Sequence, residues 1–106
     1  MTKTETQEKA ELMLDVDLAS YVRGCVPTDA EMAAAPLIED WFVVISAPDA
    51  RHLLKVTGKV YRYGPPVPNG QGFTTSAVIW FDRHQRFVRT ATKLYALGRP
   101  VGHRPA

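Results

Sequence analysis

The chain has 106 residues, 45% of them hydrophobic and 23% charged, with a formal net charge of +2 at pH 7. That is one domain with enough apolar residues for a core, which excludes wholesale disorder, and no apolar run approaches the roughly 20 residues that a bilayer span requires. A polar, acidic start unlike a signal peptide, and a single cysteine (Cys25) that has no internal disulfide partner, predict a cytoplasmic chain with no membrane partner.

Residues 1–8 read as frayed. From about Lys9 to Arg23, Leu14, Leu18, Tyr21 and Val22 recur at spacings of three and four, the stripe of an amphipathic helix, and Gly24 is its expected C-terminal stop. Thr28 and Glu31 form a capping-box pattern that opens a short second helix, which Pro36 ends. After Asp40 the chemistry changes. Trp41-Phe42-Val43-Val44-Ile45 is aromatic and β-branched, the composition of a strand, and Ala47-Pro48-Asp49-Ala50 is a turn. Leu53–Tyr63 alternates, with Leu54, Val56, Gly58 and Val60 on one face and Lys55, Thr57, Lys59, Tyr61 and Tyr63 on the other. Gly64–Gly72 is rich in proline and glycine and reads as a loop. Phe73–Asp82 and Arg86–Leu97 read as a hairpin through Arg83-His84-Gln85, with Phe81 opposite Phe87 and with Arg89 and Lys93 near the rim of one face. Neither face of that hairpin is polar, so the sheet is covered on both sides or curled.

These readings predict an α+β fold: two N-terminal helices packed on a four-stranded, mainly antiparallel sheet, curled or closed into a small barrel. The single domain, 1–106, divides into an acidic helical segment (1–36), a basic β-sheet segment (40–98) and a basic tail (99–106). Charge follows this division. Residues 1–50 hold three bases against ten acids, whereas residues 51–106 hold ten bases against Asp82 alone. Such asymmetry points to a polyanionic partner, or to an acidic half that neutralises its own basic half.

The candidate binding surface for nucleic acid, or another anion, is Lys55, Lys59, Tyr61 and Tyr63 with Arg62, Arg83, Arg86, Arg89 and Lys93. Lysine and arginine neutralise phosphates, and tyrosine rings offer stacking platforms for unpaired bases. The alternative is a solvated strand edge, whose lysines block edge-to-edge pairing, with the tyrosines packed under the helices. Trp41 and Trp80 are the candidates for a protein interface, because interface cores favour aromatic residues. Glu8, Glu11 and Asp15 form an acidic stripe that is either an ordinary solvated helix face or a cover for the basic sheet.

Residues with catalytic chemistry do not assemble in the sequence. Cys25 has no local histidine and reads as a buried thiol, unless folding brings His52 or His84 to it. His52, His84 and His103 lack metal-ligand spacing, and His84 reads as a solvated loop residue. Asp82, beside Arg83 and Arg86, reads as an electrostatic closure of the hairpin. Gly70-Gln71-Gly72 lacks the lysine and the following helix of a phosphate-binding loop. The expectation is therefore no catalytic residue, no metal and no cofactor.

The run Leu54–Gly58, the Pro/Gly loop, Thr75-Ser76-Ala77-Val78, Arg89-Thr90 and Tyr95-Ala96-Leu97-Gly98 resemble a family of short uncharacterised bacterial proteins, mainly alphaproteobacterial. Ala35-Pro36-Leu37 followed by Trp41 matches a further segment of that family, so the resemblance spans about residues 35–100. This chain departs from it at Tyr63-Gly64-Pro65, where the family has a Gly-His-Pro step, and at Phe87-Val88, where it has a tryptophan. The resemblance implies a β core and no activity. In size alone, the chain also looks like the phage and plasmid accessory proteins that include anti-CRISPR inhibitors. The functional expectation is a small non-catalytic binder whose basic sheet contacts nucleic acid or a nucleoprotein. The alternative is a protein-interaction module, such as a homodimeric adaptor or a phage- or plasmid-type inhibitor of a larger machine.

Overall fold

A computed structural model describes residues 4–47 and 52–102, in which two helices precede six strands: α1 (Glu5–Val22), α2 (Asp29–Ala34), β1 (Leu37–Ser46), β2 (Leu53–Tyr61), β3 (Gln71–Thr74), β4 (Val78–Phe81), β5 (Phe87–Thr90) and β6 (Leu94–Leu97). The turn expected at 47–50 falls mostly outside the described residues, as does the end of the basic tail.

Both helices start where their side chains can satisfy free amides. Thr4 accepts from the Gln7 N–H and the Gln7 side chain returns to the Thr4 N–H, so α1 begins at Glu5 rather than near Lys9. Thr28 and Glu31 make the same reciprocal pair at α2. At the end of α1, Gly24 takes φ +91°, and the N–H groups of Gly24 and Cys25 bond to Tyr21 O and Ser20 O. This is a Schellman ending, which most side chains resist and glycine accepts.

The six strands form one mixed sheet in the order β3-β2-β1-β6-β5-β4. Neighbours are antiparallel except β1 and β6, which are parallel through Leu37–Ala96 and Ile38–Leu97. Six strands replace the expected four because both predicted hairpin strands are interrupted, at Thr75–Ala77 and at Ala91–Lys93. The two edge strands, β3 and β4, are consecutive in the chain and separated by three residues. Three residues reach about 10 Å. The sheet therefore has to curl until its edges nearly meet, yet no ladder joins β3 to β4 and the barrel stays open. Thr75 guides the chain across the gap. Its N–H bonds to Val56 O, and its buried hydroxyl accepts from the Val56 N–H and donates to Ser76 O.

The concave face carries the core: Ile38, Trp41, Val56, Val88, Tyr95 and Leu97, with Tyr63, Phe73, Val78 and Phe81 packed against it. The aromatic rings meet in sequence-distant pairs, Trp41 with Phe81 at 5.9 Å and Phe73 with Tyr95 at 5.8 Å between centroids. Phe81 pairs with Val88, not with Phe87. A one-residue change of register exchanges faces. Val88 therefore enters the concave core, while Phe87 lies on the convex side, 5.1 Å from the Tyr21 ring of α1.

Candidate functional site

The helices cover one half of the convex face. Tyr21 packs on Phe87 and, at 5.7 Å, on Trp80, so β4 and β5 lie beneath the C-terminal half of α1. Burial and the nearby Asp17 carboxylate both push the Tyr21 hydroxyl above its ordinary pKa. Asp17 also accepts from Arg89 Nε at 3.2 Å, and Arg89 Nη1 donates to Thr90 O. The acidic half of the sequence thus neutralises part of the basic half within the fold.

This packing separates the residues expected to form one basic surface. Arg89 is 5% exposed and held by Asp17, so it does not sit at a rim open to solvent. Arg62, at φ +62°, turns its guanidinium onto Met32 O and Ala35 O and so caps the C-terminus of α2. Arg86 binds Asp82 through Nε at 2.8 Å and its backbone N–H at 2.9 Å. Burial works to raise the Asp82 pKa, but the hydrogen bonds and charge of Arg86 outweigh it and hold the carboxyl below its ordinary value. Lys93 Nζ lies 4.7 Å from the Tyr63 ring centroid, and Tyr63 packs on Phe73 at the core margin. Beneath it, burial pushes the Tyr95 hydroxyl up to about 12. Arg83 remains exposed in the β4–β5 turn.

Lys55, Lys59 and Tyr61 stay together on the convex face of β2, with Thr57 between the lysines. The Lys59 ammonium is 3.6 Å from Asp40, with both side chains largely in water. The Thr57 hydroxyl is 2.9 Å from that of Thr74 on β3. Of the nine residues, Lys55, Lys59 and Tyr61 are the ones that share a single strand face, with Lys59 exposed and Lys55 and Tyr61 half-buried.

Of the two tryptophans, Trp41 is 5% exposed, and its indole donates to Gly98 O at 3.0 Å. It belongs to the core and not to an interface. Trp80 is half-buried and lines a cleft of about 430 Å³ with Tyr21, Cys25, Arg83, His84 and Arg86. Cys25 is exposed rather than buried, and folding brings it to the same cleft as His84. Among the described residues, no group of three His, Cys, Asp or Glu side chains converges on a metal position. No helix among them is long and apolar enough to cross a membrane.

The largest departure from expectation is the distal part of β1 and β2. β6 pairs with β1 only at Leu37 and Ile38, and the chain after it reaches β1 once more at the Trp41–Pro100 bridge. β3 pairs with β2 from Thr57 onward. Among the described residues, Val44–Ser46 and Leu53–Lys55 consequently pair only with each other, as a two-stranded arm, and Phe42 and Val43 at its base, opposite Thr57 and Val56, have no strand on their other side. Phe42 and Val44 share the convex face with Lys55, whereas Val43 and Ile45 share the concave side with Leu54. The exposures of Phe42, Val43, Val44 and Ile45 are 44%, 38%, 37% and 66%. An isolated two-stranded ribbon is marginal in water, and four successive exposed apolar residues on both of its faces add a further cost.

The composition of this run is that of an ordinary strand. Its usable signal was four apolar residues in succession, which demand cover on both faces of a strand. The two helices, both in the first third of the chain, cannot supply that cover everywhere. Comparison with known proteins adds no name to this geometry: no family model, curated protein or solved structure matches the chain, and the resemblance noted over residues 35–100 gains no support there.

Proposed function

We propose that this chain is a small non-catalytic protein-interaction module whose working surface is the β1–β2 arm. The observation that carries this reading is the unbroken exposure of Phe42, Val43, Val44 and Ile45 at a place where no helix or strand of the described chain covers them. Over the two faces of the arm together they leave on the order of 300 Å² of apolar surface open, an area comparable to the largest contiguous patch of a typical monomer but divided between two faces. The test is capture of partners, the chain itself included, by the parent protein and by Phe42→Ser and Ile45→Lys variants whose circular dichroism matches the parent. Both positions are exposed, so the fold should survive the substitutions, while capture should fall at least about tenfold, which corresponds to roughly 1.4 kcal/mol. Equal capture by parent and variants would overturn the reading.

A second reading, contact with nucleic acid or a nucleoprotein, is favoured by Lys55, Thr57, Lys59 and Tyr61 standing in line on one face of β2. Two lysines engage few phosphates. Affinity for single-stranded DNA should then fall with salt at a slope near −1.4, about −0.7 per phosphate contact, and Lys55→Glu with Lys59→Glu should abolish it. No binding near 50 mM salt would count against it.

A further inference from the structure

We infer that the outer edge of β1 pairs with the same edge of a second copy of this chain, joining two arms into one four-stranded antiparallel sheet. This inference rests on the arm being the working surface and names its partner.

The hydrogen-bonding parity of β1 defines the edge. Val56 directs its N–H and C=O to Thr75, away from β1, so its partner Val43 points its own N–H and C=O away from β2. Ile45, opposite Leu54, does the same. Trp41, two residues before Val43, has its outward groups taken by Arg99 O and the Val101 N–H. The open edge therefore begins at Val43 and continues through Ile45 and Ala47, with no strand beside it among the described residues. It also lacks the usual protections, since Trp41–Ala47 contains no charge and no proline.

A second copy fits this edge better than an unrelated chain does. With Ile45 on the two-fold axis, Ile45 faces its own symmetry mate and Val43 faces Ala47 of the other copy, so each open N–H meets an open C=O. The segment that does the pairing is neutral, so bringing two copies together opposes no like charges along the edge. Among the described residues the nearest cation is Lys55, one strand away on each side. Across β2, β1, β1 and β2, three strand spacings separate the two Lys55 positions by at least about 14 Å, beyond the roughly 8 Å Debye length at physiological salt. Pairing also raises the arm from two strands to four with a continuous apolar concave side, above the three-strand minimum for a stable small sheet. The open apolar area is below the roughly 800 Å² per partner of a standard interface, which points to a reversible dimer rather than an obligate one.

Sedimentation velocity on the full chain from about 1 to 500 µM should show a monomer–dimer equilibrium that persists or tightens between about 50 and 500 mM salt. Ile45→Lys should weaken it at least about tenfold. In a Cys25→Ser background, Ile45→Cys should form an intermolecular disulfide on mild oxidation. The axial pair brings the two α-carbons to about 5.5 Å, within disulfide reach, whereas Phe42→Cys should stay unlinked. A chain that remains monomeric throughout overturns the inference. So does a dimer indifferent to Ile45→Lys, or one that links through Phe42→Cys and not through Ile45→Cys. If the chain is monomeric but Ile45→Lys still abolishes capture of another protein, the self-pairing fails while the arm remains the working surface. If neither changes, both fail.

Discussion

Gly58 faces a β-bulge in which Asp40 and Trp41 together oppose one residue of β2, and Asp40 takes φ +51°. A β-carbon at Gly58 would lie 2.6 Å from Glu39 O, 2.7 Å from Ile38 Cγ2 and 3.1 Å from Trp41 Cα. Two of those three atoms are backbone and cannot swing aside. Gly58→Ala is therefore expected to cost about 1–3 kcal/mol or more in urea unfolding, because overpacking forces the bulge to move. An unchanged midpoint would mean that the bulge is loose. The sequence flagged Gly58 as a bulge or a bend without locating the partner strand, since the atoms that exclude a side chain lie about twenty residues away. Trp41 shows the same limit. Its aromatic composition fits a core or an interface equally well, and its bond to Gly98 O, 57 residues distant, decides for the core.

At the scale of elements, the helix caps were readable because they involve residues three apart. Thr28 with Glu31, and Gly24 after Val22, stand as the sequence implied. The docking of α1 was not readable, because it depends on a contact between Asp17 and Arg89, 72 residues apart. Leu12, Met13 and Val16 remain exposed, while Asp17 and Tyr21 tie α1 to the sheet and Leu14 and Leu18 are half-buried. Removing Asp17 leaves a guanidinium buried without its carboxylate. Asp17→Ala should lower stability by about 2–3 kcal/mol, below the 3–5 typical of fully buried pairs because Asp17 itself is partly in water. Adding Arg89→Met should restore a good part of that loss, since an apolar side chain needs no partner there. Equal instability in the single and double variants would assign the loss to helix packing instead.

For the molecule as a whole, the curl of the sheet follows from the three-residue passage between β3 and β4. Thr75 is central to it because its hydroxyl satisfies the Val56 N–H inside the protein. Thr75→Val keeps the shape and strands that donor, with an expected cost of about 1–3 kcal/mol and a lower melting temperature. A neutral result would mean that water reaches the gap between the sheet edges. By itself the sequence determined an α+β chain, its two capped helices, the alternation along β2 and the opposite charges of its halves, because each is written in residue type and short spacing. Only the tertiary structure decided that the sheet has six strands and an open barrel, that Phe87 turns to the convex side, and that Arg62, Arg86 and Arg89 are each tied to a partner within the chain, Arg89 alone being buried. It also decided that the apolar run of β1 stands uncovered. Burial, register and charge pairing are set by residues distant in the chain, and local pattern carries no record of which distant residue arrives.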